Sequence, residues 1–406
     1  MEATLTQPDT LTASLSTREK NVFFPTYERF TIGEIASASG VFIYTESGDC
    51  YLDVIAGLGV NALGHSHPMV VKAVQEQVMR YMHLSNLYLQ DVQVELAEKL
   101  SAMSGWSKVF FSNSGTEAVE GALKLARKYF SSKEKTELVG VSNAFHGRTY
   151  GALSVIDKSK YRDDFGPFLS DATCLIPYSE DNLAEKVSRK TAAVILEVIQ
   201  GEGGIFEVPV SFVQTLHELQ AKYGFLIIAD EIQSGIGRTG LFFAYEHFGL
   251  RPDIVVCAKA LGGGLPLGAI LSNDTISSAL KPGSHGTTFG GNAIACAAGL
   301  AVLSELENGL MNRVNAESAY LHDQLFQLKL KYPQAIIEIR GKGFMVGVDM
   351  AFPAKELHLN LLEKKVVTNV TADTVLRLLP PLIFEHQNTD MFINAFDSAL
   401  SETSIP

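Results

Sequence analysis

The chain has 406 residues, of which 46% are hydrophobic and 19% charged, the composition of an ordinary globular protein. Its formal net charge of -12 argues against nucleic acid or an anionic membrane as the main partner. The four widely spaced cysteines and the scattered histidines show neither a disulfide framework nor a metal-ligand motif. We therefore expect a cytoplasmic protein without a metal site.

The most apolar stretch, residues 255–272, contains Lys259 and several glycines, so we do not expect it to span a membrane. The first 20 residues include Glu2 and Asp9 and lack the apolar core of a signal peptide. The sequence thus predicts neither export nor insertion into a membrane.

In chain order, the first recognisable element is a hairpin at residues 41–54, where VFIYTESGDCYLDV turns at Ser47 and Gly48. From about residue 105, short apolar runs alternate with longer amphipathic ones. These runs are KVFF, TEAVEGALKLARKYF, ELVGVS, AAVILEV, VQTLHELQAKYG, FLIIAD and DIVVCAK. Such alternation predicts an α/β fold with a mostly parallel sheet that is buried on both faces.

The pattern changes toward the C-terminus, where residues 292–310 begin a long helical stretch and RGKGFMVGVDM predicts a strand region punctuated by glycines. We expect a large central domain and a smaller α+β domain formed by both chain ends. The predicted segments are residues 1–63 and 289–406 for the small domain and residues 64–288 for the large one.

Ligands of parallel α/β sheets bind beyond the carboxyl ends of the strands, so the residues after each strand are candidates for a site. After KVFF, Ser114 and Glu117 have the spacing of a capping box. Gly115 and Thr116 would also offer amide donors and a hydroxyl to a phosphate at the helix N-terminus. The two interpretations are compatible.

After ELVGVS, the turn AFHGRT contains Phe145, His146 and Arg148. Phe145 could be a core residue or stack on a flat heteroaromatic ligand, and His146 could serve the turn or the site. Arg148 has a planar fork that suits a carboxylate, with a solvated surface position as the alternative.

Two further candidates follow the runs FLIIAD and DIVVCA. Asp230 ends a buried strand and needs a cationic partner, which could be a side chain or a ligand, and Gln233 lies a short step beyond it. Lys259 stands in apolar, glycine-rich surroundings, where loss of hydration would free its amine to attack an aldehyde. A lysine whose stem packs while its head reaches water is the alternative.

Pyridoxal phosphate (PLP) would use all of these features. Its aldehyde suits Lys259 and its pyridinium nitrogen suits Asp230. Its ring suits Phe145, and its phosphate suits the helix N-terminus at Gly115. The joint pattern is far more specific than any one of its members.

The segments that carry these residues resemble those of a known family. In order, they are FFSNSGTEAVEGALKLAR, FHGRT, EVIQGEGG, FLIIADEIQSGIGRTG, AKALGGGLPLGA, HGTTFGGN and TVLRLLPPL. The series resembles the class III aminotransferases, which are PLP enzymes of fold type I, from about residue 27 to residue 382. Val198 and Ala293 depart from the family pattern, since many relatives have proline there, but neither position carries chemistry.

The resemblance implies that Lys259 binds the cofactor covalently and acts as the catalytic base, while Asp230 pairs with the pyridinium nitrogen. Gln233 would contact the ring hydroxyl, and Thr288 of the partner subunit would complete the phosphate site of a homodimer. The full implied cofactor-binding set is Ser114, Gly115, Thr116, Phe145, His146, Asp230, Ile232, Gln233, Lys259 and Thr288.

For substrates, the resemblance assigns Arg148 to a carboxylate far from the reacting amine and Arg377 to the α-carboxylate of glutamate or 2-oxoglutarate. Glu202 would pair with Arg377 while an ω-amine occupies the site. The early GVNALGH and the late VTNVTADTVLRLLPPL most resemble the branch of the class that acts on N-acetylornithine. The implied reaction transfers the amine of N2-acetyl-L-ornithine to 2-oxoglutarate, giving N-acetyl-L-glutamate 5-semialdehyde and L-glutamate in arginine biosynthesis.

Other activities of the same class remain open, namely the aminotransferases for ornithine, succinyldiaminopimelate and 4-aminobutyrate, and an aminomutase. Gly57 aligns where ornithine enzymes carry a tyrosine, which leaves space for a bulkier acylated substrate. From another class, a non-catalytic dimeric binding protein is the remote alternative.

Overall fold

The computed structural model describes residues 14–29, 32–131 and 134–403. The strands are β1 (Ile35–Ser39), β2 (Phe42–Thr45), β3 (Cys50–Asp53), β4 (Lys108–Ser112), β5 (Glu137–Val141), β6 (Ala172–Leu175), β7 (Thr191–Leu196), β8 (Ile199–Gln200), β9 (Phe206–Glu207), β10 (Leu226–Asp230), β11 (Ile254–Cys257), β12 (Gly268–Ser272), β13 (Ile336–Lys342), β14 (Met345–Met350), β15 (Val366–Val367), β16 (Asn369–Thr371) and β17 (Val375–Leu378).

The helices connect and cover these strands. They are α1 (Leu15–Val22), α2 (Ala56–Gly59), α3 (Pro68–Arg80), α4 (Asp91–Ser104), α5 (Gly115–Tyr129), α6 (Tyr150–Ser154), α7 (Ser159–Arg162), α8 (Glu180–Lys186), α9 (Val210–Tyr223), α10 (Asp274–Ser277), α11 (Ala293–Glu305), α12 (Met311–Lys331), α13 (Lys355–Glu363) and α14 (His386–Glu402). Two 3-10 turns, Ala244–Phe248 and Lys259–Gly262, and a π-helical turn, Leu306–Leu310, complete them.

A seven-stranded sheet with the order β4-β12-β11-β10-β7-β5-β6 forms the centre of the molecule. Only β12 runs antiparallel to its neighbours, β11 and β4, while the other pairings are parallel. Every residue of β7, β10, β11 and β12 is buried, as their uninterrupted apolar runs require. The predicted α/β fold with a mostly parallel central sheet is therefore confirmed.

The helices on the sheet follow from their apolar faces and their end signals. In α5, the buried face includes Val119, Ala122 and Ala126, and the helix packs against β11 and β12. α9 ends at Gly224, whose φ of +69° is the left-handed conformation that glycine adopts at little cost.

Two four-stranded sheets contain the remaining long strands. The hairpin predicted at residues 41–54 forms β2 and β3, and β15 joins it in parallel by pairing Val366 with Leu52. The segment RGKGFMVGVDM forms the end of β13 and all of β14, in the antiparallel order β13-β14-β17-β16. Segments close to both chain ends thus share one sheet, and the proposed domain boundaries stay a prediction.

The helical stretch predicted from residue 292 runs through α11, the π turn and α12. By length and composition alone this 39-residue stretch is apolar enough to cross a membrane, a candidate that the sequence analysis missed when it considered residues 255–272. α11 packs against α3, α4 and the turn that begins at Lys259, and most of its residues are buried. Its apolar side chains are therefore part of the protein core.

Candidate active site

A cavity of about 460 Å³ opens where β4, β5, β7, β10 and β11 end. It is lined by residues that directly follow these strands, as expected for a parallel sheet. The predicted site residues on its wall are Ser114, Gly115, Thr116, Phe145, His146, Arg148, Glu202, Asp230, Ile232, Gln233 and Lys259. Arg377 and Thr288 do not line this wall.

Lys259 follows β11 and reaches into the cavity rather than to the outer surface. Its φ of +44° is left-handed, a strained conformation for a residue with a side chain. Loss of hydration, followed by the positive charge of Arg377, lowers the pKa of the Lys259 amine from 10.5 to about 8. A larger fraction of this amine is therefore unprotonated near neutral pH than for a surface lysine.

Asp230 at the end of β10 has a side-chain partner inside the site. His146 Nδ1 lies 2.7 Å from Asp230 Oδ2, and the Ile232 backbone N–H donates to Asp230 Oδ1 at 3.0 Å. The side chains of His146 and Asp230 are 0% and 2% exposed. Among the described residues, His146 Nε2 has no hydrogen-bond partner. The histidine thus serves the site and leaves one buried ring nitrogen for a further group.

The helix N-terminus that was predicted to hold a phosphate borders the same cavity. Ser114 caps α5 by accepting from the Glu117 backbone N–H at 3.3 Å. The predicted capping box is otherwise wrong, because the Glu117 carboxylate accepts from the backbone and side chain of Asn113, both at 2.8 Å, and not from Ser114. Glu117 therefore stabilises the residue before the cap.

Two glycines let the walls of this region approach each other. A Cβ on Gly115 would lie 2.7 Å from the Ile232 side chain, and one on Gly147 would lie 2.1 Å from Thr116 Oγ1. Backbone N–H groups at the start of α5 have no intrahelical partner, so this narrow end can cradle an anion. The amine, the carboxylate and the anion cradle together fit the aldehyde, ring nitrogen and phosphate of PLP.

Sequence reasoning missed Glu197, which also lines the cavity. Its carboxylate accepts from the Phe145 N–H at 2.8 Å and from the Gly201 N–H at 3.2 Å. Burial, together with the charge of Asp230, raises the pKa of Glu197 from 4.5 to about 7. The signal was available, because Glu197 follows the buried run of β7 in the way that Asp230 ends β10.

Arg377 lies on β17 behind the cavity wall and is 2% exposed. Its guanidinium forms an ion pair with Glu202 and donates to Gln233 Oε1 at 3.3 Å. It also donates to Asn369 Oδ1, at 3.1 Å from Nε and 2.5 Å from Nη2. Burial opposes ionisation of Glu202, but the charge and hydrogen bond of Arg377 outweigh it and lower the pKa of Glu202. The predicted Glu202–Arg377 pair is thus present in the structure.

Arg148 and Thr288 occupy different positions relative to the cavity. The guanidinium of Arg148 lies on its wall, 4.0 Å from the ring centroid of Tyr161 and 5.6 Å from that of Phe145. Thr288 is exposed and lines a second cavity together with Leu87. A role for Thr288 in this active site would therefore require a second subunit.

Among the described residues, no three His, Cys, Asp or Glu side chains are grouped as a metal site would need. All four cysteines lie in the described part of the chain, and each is a free thiol there.

Comparisons with known proteins show the family to which the chain belongs. The Aminotransferase class-III family model matches residues 25–400. The acetylornithine aminotransferase of Caldanaerobacter subterraneus is 43% identical over 391 residues, which cover 95% of this chain and 99% of the relative. A crystal structure of ornithine aminotransferase from Toxoplasma gondii has a TM-score of 0.91 at 29% identity, covering 97% of this chain and 98% of that one. Acetylornithine aminotransferase from Elizabethkingia anophelis has a TM-score of 0.85 at 30% identity, with 96% and 98% covered. The chain therefore belongs to the class III aminotransferases.

Proposed function

We propose that this protein is a PLP-dependent aminotransferase that transfers the δ-amine of N2-acetyl-L-ornithine to 2-oxoglutarate, a step of arginine biosynthesis. The products are N-acetyl-L-glutamate 5-semialdehyde and L-glutamate. The observation that carries this proposal is one cavity lined by Lys259, Asp230 and Glu202, with Arg377 paired to Glu202 behind its wall. The assignment of the amine donor is supported by the similarity to an acetylornithine aminotransferase across nearly the whole chain.

In this proposal, the cofactor is held by residues that follow the sheet strands. Lys259 would bind its aldehyde, and Asp230 its ring nitrogen, with His146 fixing the orientation of the carboxylate. Gly115 and Thr116 would bind its phosphate at the start of α5. The ring would be contacted by Phe145 and Ile232 on its faces, by Gln233 at its hydroxyl, and by Ser114 and His146 nearby.

When bound, PLP accepts the electron pair left on the substrate carbon and carries the amino group from one substrate to the other. Lys259 Nζ removes the proton from the amine-bearing carbon of the substrate, because its lowered pKa makes the amine available as a base near neutral pH. Asp230, held by His146 at 2.7 Å, would stabilise positive charge on the ring nitrogen of the cofactor. The buried strands behind both residues close that side of the cavity to water.

The substrate residues would let one cavity accept molecules with different charges. N-acetylornithine has one carboxylate, which Arg148 would bind far from the reacting amine, while Glu202 neutralises Arg377. 2-Oxoglutarate has two carboxylates, so Arg377 would leave Glu202 and bind the one next to the keto group. Each substrate thus finds a matching number of free cations.

We also propose a homodimer, in which Thr288 of the partner subunit completes the phosphate site. Leu87 lines the same cavity as Thr288, and Phe289 follows Thr288 in the sequence; they are 89% and 57% exposed, and Leu89, two residues beyond Leu87, is 99% exposed. Such exposed apolar side chains are typical of a protein interface.

Sedimentation of the purified protein should give a dimer, and Thr288→Val should weaken PLP binding. A monomer that binds PLP tightly would reject this part. A cytoplasmic location stays a prediction.

The proposed reaction is tested by the visible absorption spectrum of the purified protein with PLP. We expect a band that N-acetylornithine removes faster than ornithine or 4-aminobutyrate, and that 2-oxoglutarate restores. Faster conversion by one of the other amines would assign a different donor. A protein that binds PLP but converts none of the amines would favour the non-catalytic alternative.

A further inference from the structure

The proposed exchange of substrates leaves Glu202 without its ion-pair partner for half of the cycle. Its side chain is only 24% exposed and pairs with Arg377, whose own side chain is 2% exposed. A poorly hydrated carboxylate that loses its cation without gaining another is unstable. The release of Arg377 to a substrate would therefore cost free energy unless a second cation lies close enough to pair with Glu202.

Lys158, in the segment between α6 and α7, is such a cation. Its Nζ donates to the backbone carbonyl oxygen of Glu202 at 2.5 Å. Its charge acts on the Glu202 carboxylate and contributes to the lowered pKa of Glu202. An ammonium has three donors, and the carbonyl uses one of them. Burial lowers the pKa of Lys158, which indicates that its ammonium is short of hydration and would gain from a carboxylate partner.

Other neighbours do not replace Lys158 in this role. Lys259 also interacts electrostatically with Glu202, but its amine is committed to the cofactor and to proton transfer. Thr371 Oγ1 donates to the same Glu202 carbonyl at 2.7 Å, so the backbone stays held when Lys158 moves. The carboxylate can therefore turn from Arg377 to Lys158 about a fixed backbone.

We propose that Lys158 is the alternative partner of Glu202 and receives its carboxylate when Arg377 binds the carboxylate next to the keto group of 2-oxoglutarate. This inference rests on the proposed function, because it concerns the second half of that reaction. In the first half, Glu202 pairs with Arg377. In the second half, Glu202 pairs with Lys158 and Arg377 with the substrate, so Glu202 and Arg377 each face an opposite charge in both states. Lys158 is thus a positioning residue that favours the dicarboxylate.

The test compares the two half-reactions in Lys158→Met, with PLP bound and each substrate varied separately. We expect the specificity constant for 2-oxoglutarate to fall about tenfold relative to that for N-acetylornithine, because a hydrogen bond to a charged group is lost. Lys158→Met should raise the 2-oxoglutarate concentration that gives half of the limiting rate more than it lowers the limiting rate itself. Lys158→Arg should restore most of the ratio. Lys160→Met, an exposed lysine two residues away, should leave the ratio unchanged.

A double-mutant cycle with Glu202→Ala separates this role from support of the loop. If Lys158 acts on the carboxylate, Lys158→Met should have no further effect on the ratio once Glu202 is alanine, since only the backbone carbonyl remains. An effect that persists in that background, or an equal loss with both substrates, would overturn the inference. If thermal unfolding shows that Lys158→Met is poorly folded, Lys158→Gln carries the same comparison. Failure of the unmodified protein to convert either substrate would instead reject the proposed function.

Discussion

The cofactor side and the substrate side of the cavity are built differently. On the cofactor side, Asp230, Glu197 and Lys259 each end or follow a strand of one buried sheet, so the rigid sheet sets their separation. On the substrate side, Glu202 lies in a loop and Arg377 on β17 of a different sheet. The fixed side suits chemistry that is the same for every substrate, and the exchangeable charge pair suits two substrates of different charge.

Two adjacent carboxylates also differ in their surroundings: one lines the cavity and the other is hydrogen-bonded within the protein. Asp230 faces the cavity, while Glu231 accepts from Ser234 Oγ at 2.8 Å and from the backbone N–H groups of Ala244 at 2.9 Å and Tyr245 at 2.7 Å. Burial raises the pKa of Glu231 from 4.5 to about 7. Of these sequence neighbours, Asp230 is available to a ligand in the cavity, while Glu231 holds the surrounding backbone.

Removal of the amine on the cofactor side should have the largest effect. Lys259→Ala loses both the group that binds the cofactor aldehyde and the base, and we expect each half-reaction to slow by at least about 10³-fold. Single-turnover absorbance measurements check this. Lys222→Ala, on the exposed end of α9, is the control and should keep its rate. A Lys259→Ala protein with substantial turnover would show that another residue is the base.

The comparison of the adjacent carboxylates is tested by Asp230→Asn and Glu231→Gln. The first should slow the half-reactions by about 10²- to 10³-fold, since the buried negative charge at the cofactor is lost. The second should lower the free energy of unfolding by about 1–3 kcal/mol, since hydrogen bonds from Ser234, Ala244 and Tyr245 are disturbed. Single-turnover kinetics of both variants measure the change in rate, and chemical denaturation of both measures the change in the free energy of unfolding. If both variants slowed the half-reactions to a similar extent, the assignment of Asp230 to the cofactor and of Glu231 to structural support would be wrong.

On the substrate side, Glu202→Ala should change preference rather than chemistry. With Arg377 no longer paired, the ratio of the specificity constant for glutamate to that for N-acetylornithine should rise about tenfold. Steady-state kinetics with each amine donor measure this ratio. Unchanged kinetics with both donors would show that the Glu202–Arg377 pair does not select substrates.

The smallest expected effect is the pH dependence of cofactor binding. Only the unprotonated Lys259 amine attacks an aldehyde, so with a pKa of about 8 the rate of PLP capture by the cofactor-free protein should rise with pH. Between about pH 7.5 and about pH 8.5 the rise should be roughly threefold.

The folded-state pKa of Lys259 lies below the unfolded value, so the unfolded chain binds more protons from about pH 8 upward. The Lys259 contribution to stability should therefore increase with pH between about 8 and 10.5, and Lys259→Ala should remove that slope.

Much of the cofactor side could be predicted because its signals are local. The buried run of β10 and the charged residue that ends it are adjacent in the sequence, and the same holds for β11 and Lys259. Glu197 carries an equally local signal that went unused. The capping box was only half right, because sequence spacing fixes which groups are near but not whether Glu117 bonds to Ser114 or to Asn113.

The sequence by itself determined the elements, the parallel sheet and the residues that follow its strands, since apolar periodicity and buried charges act over a few residues. Only the tertiary structure decided which distant groups meet. His146 reaches Asp230 across 84 positions, and Arg377 reaches Glu202 across 175. Lys158 lies 44 positions from Glu202 and has no motif of its own. Contacts of this kind depend on how sheets and loops pack, and no local pattern in the chain records them.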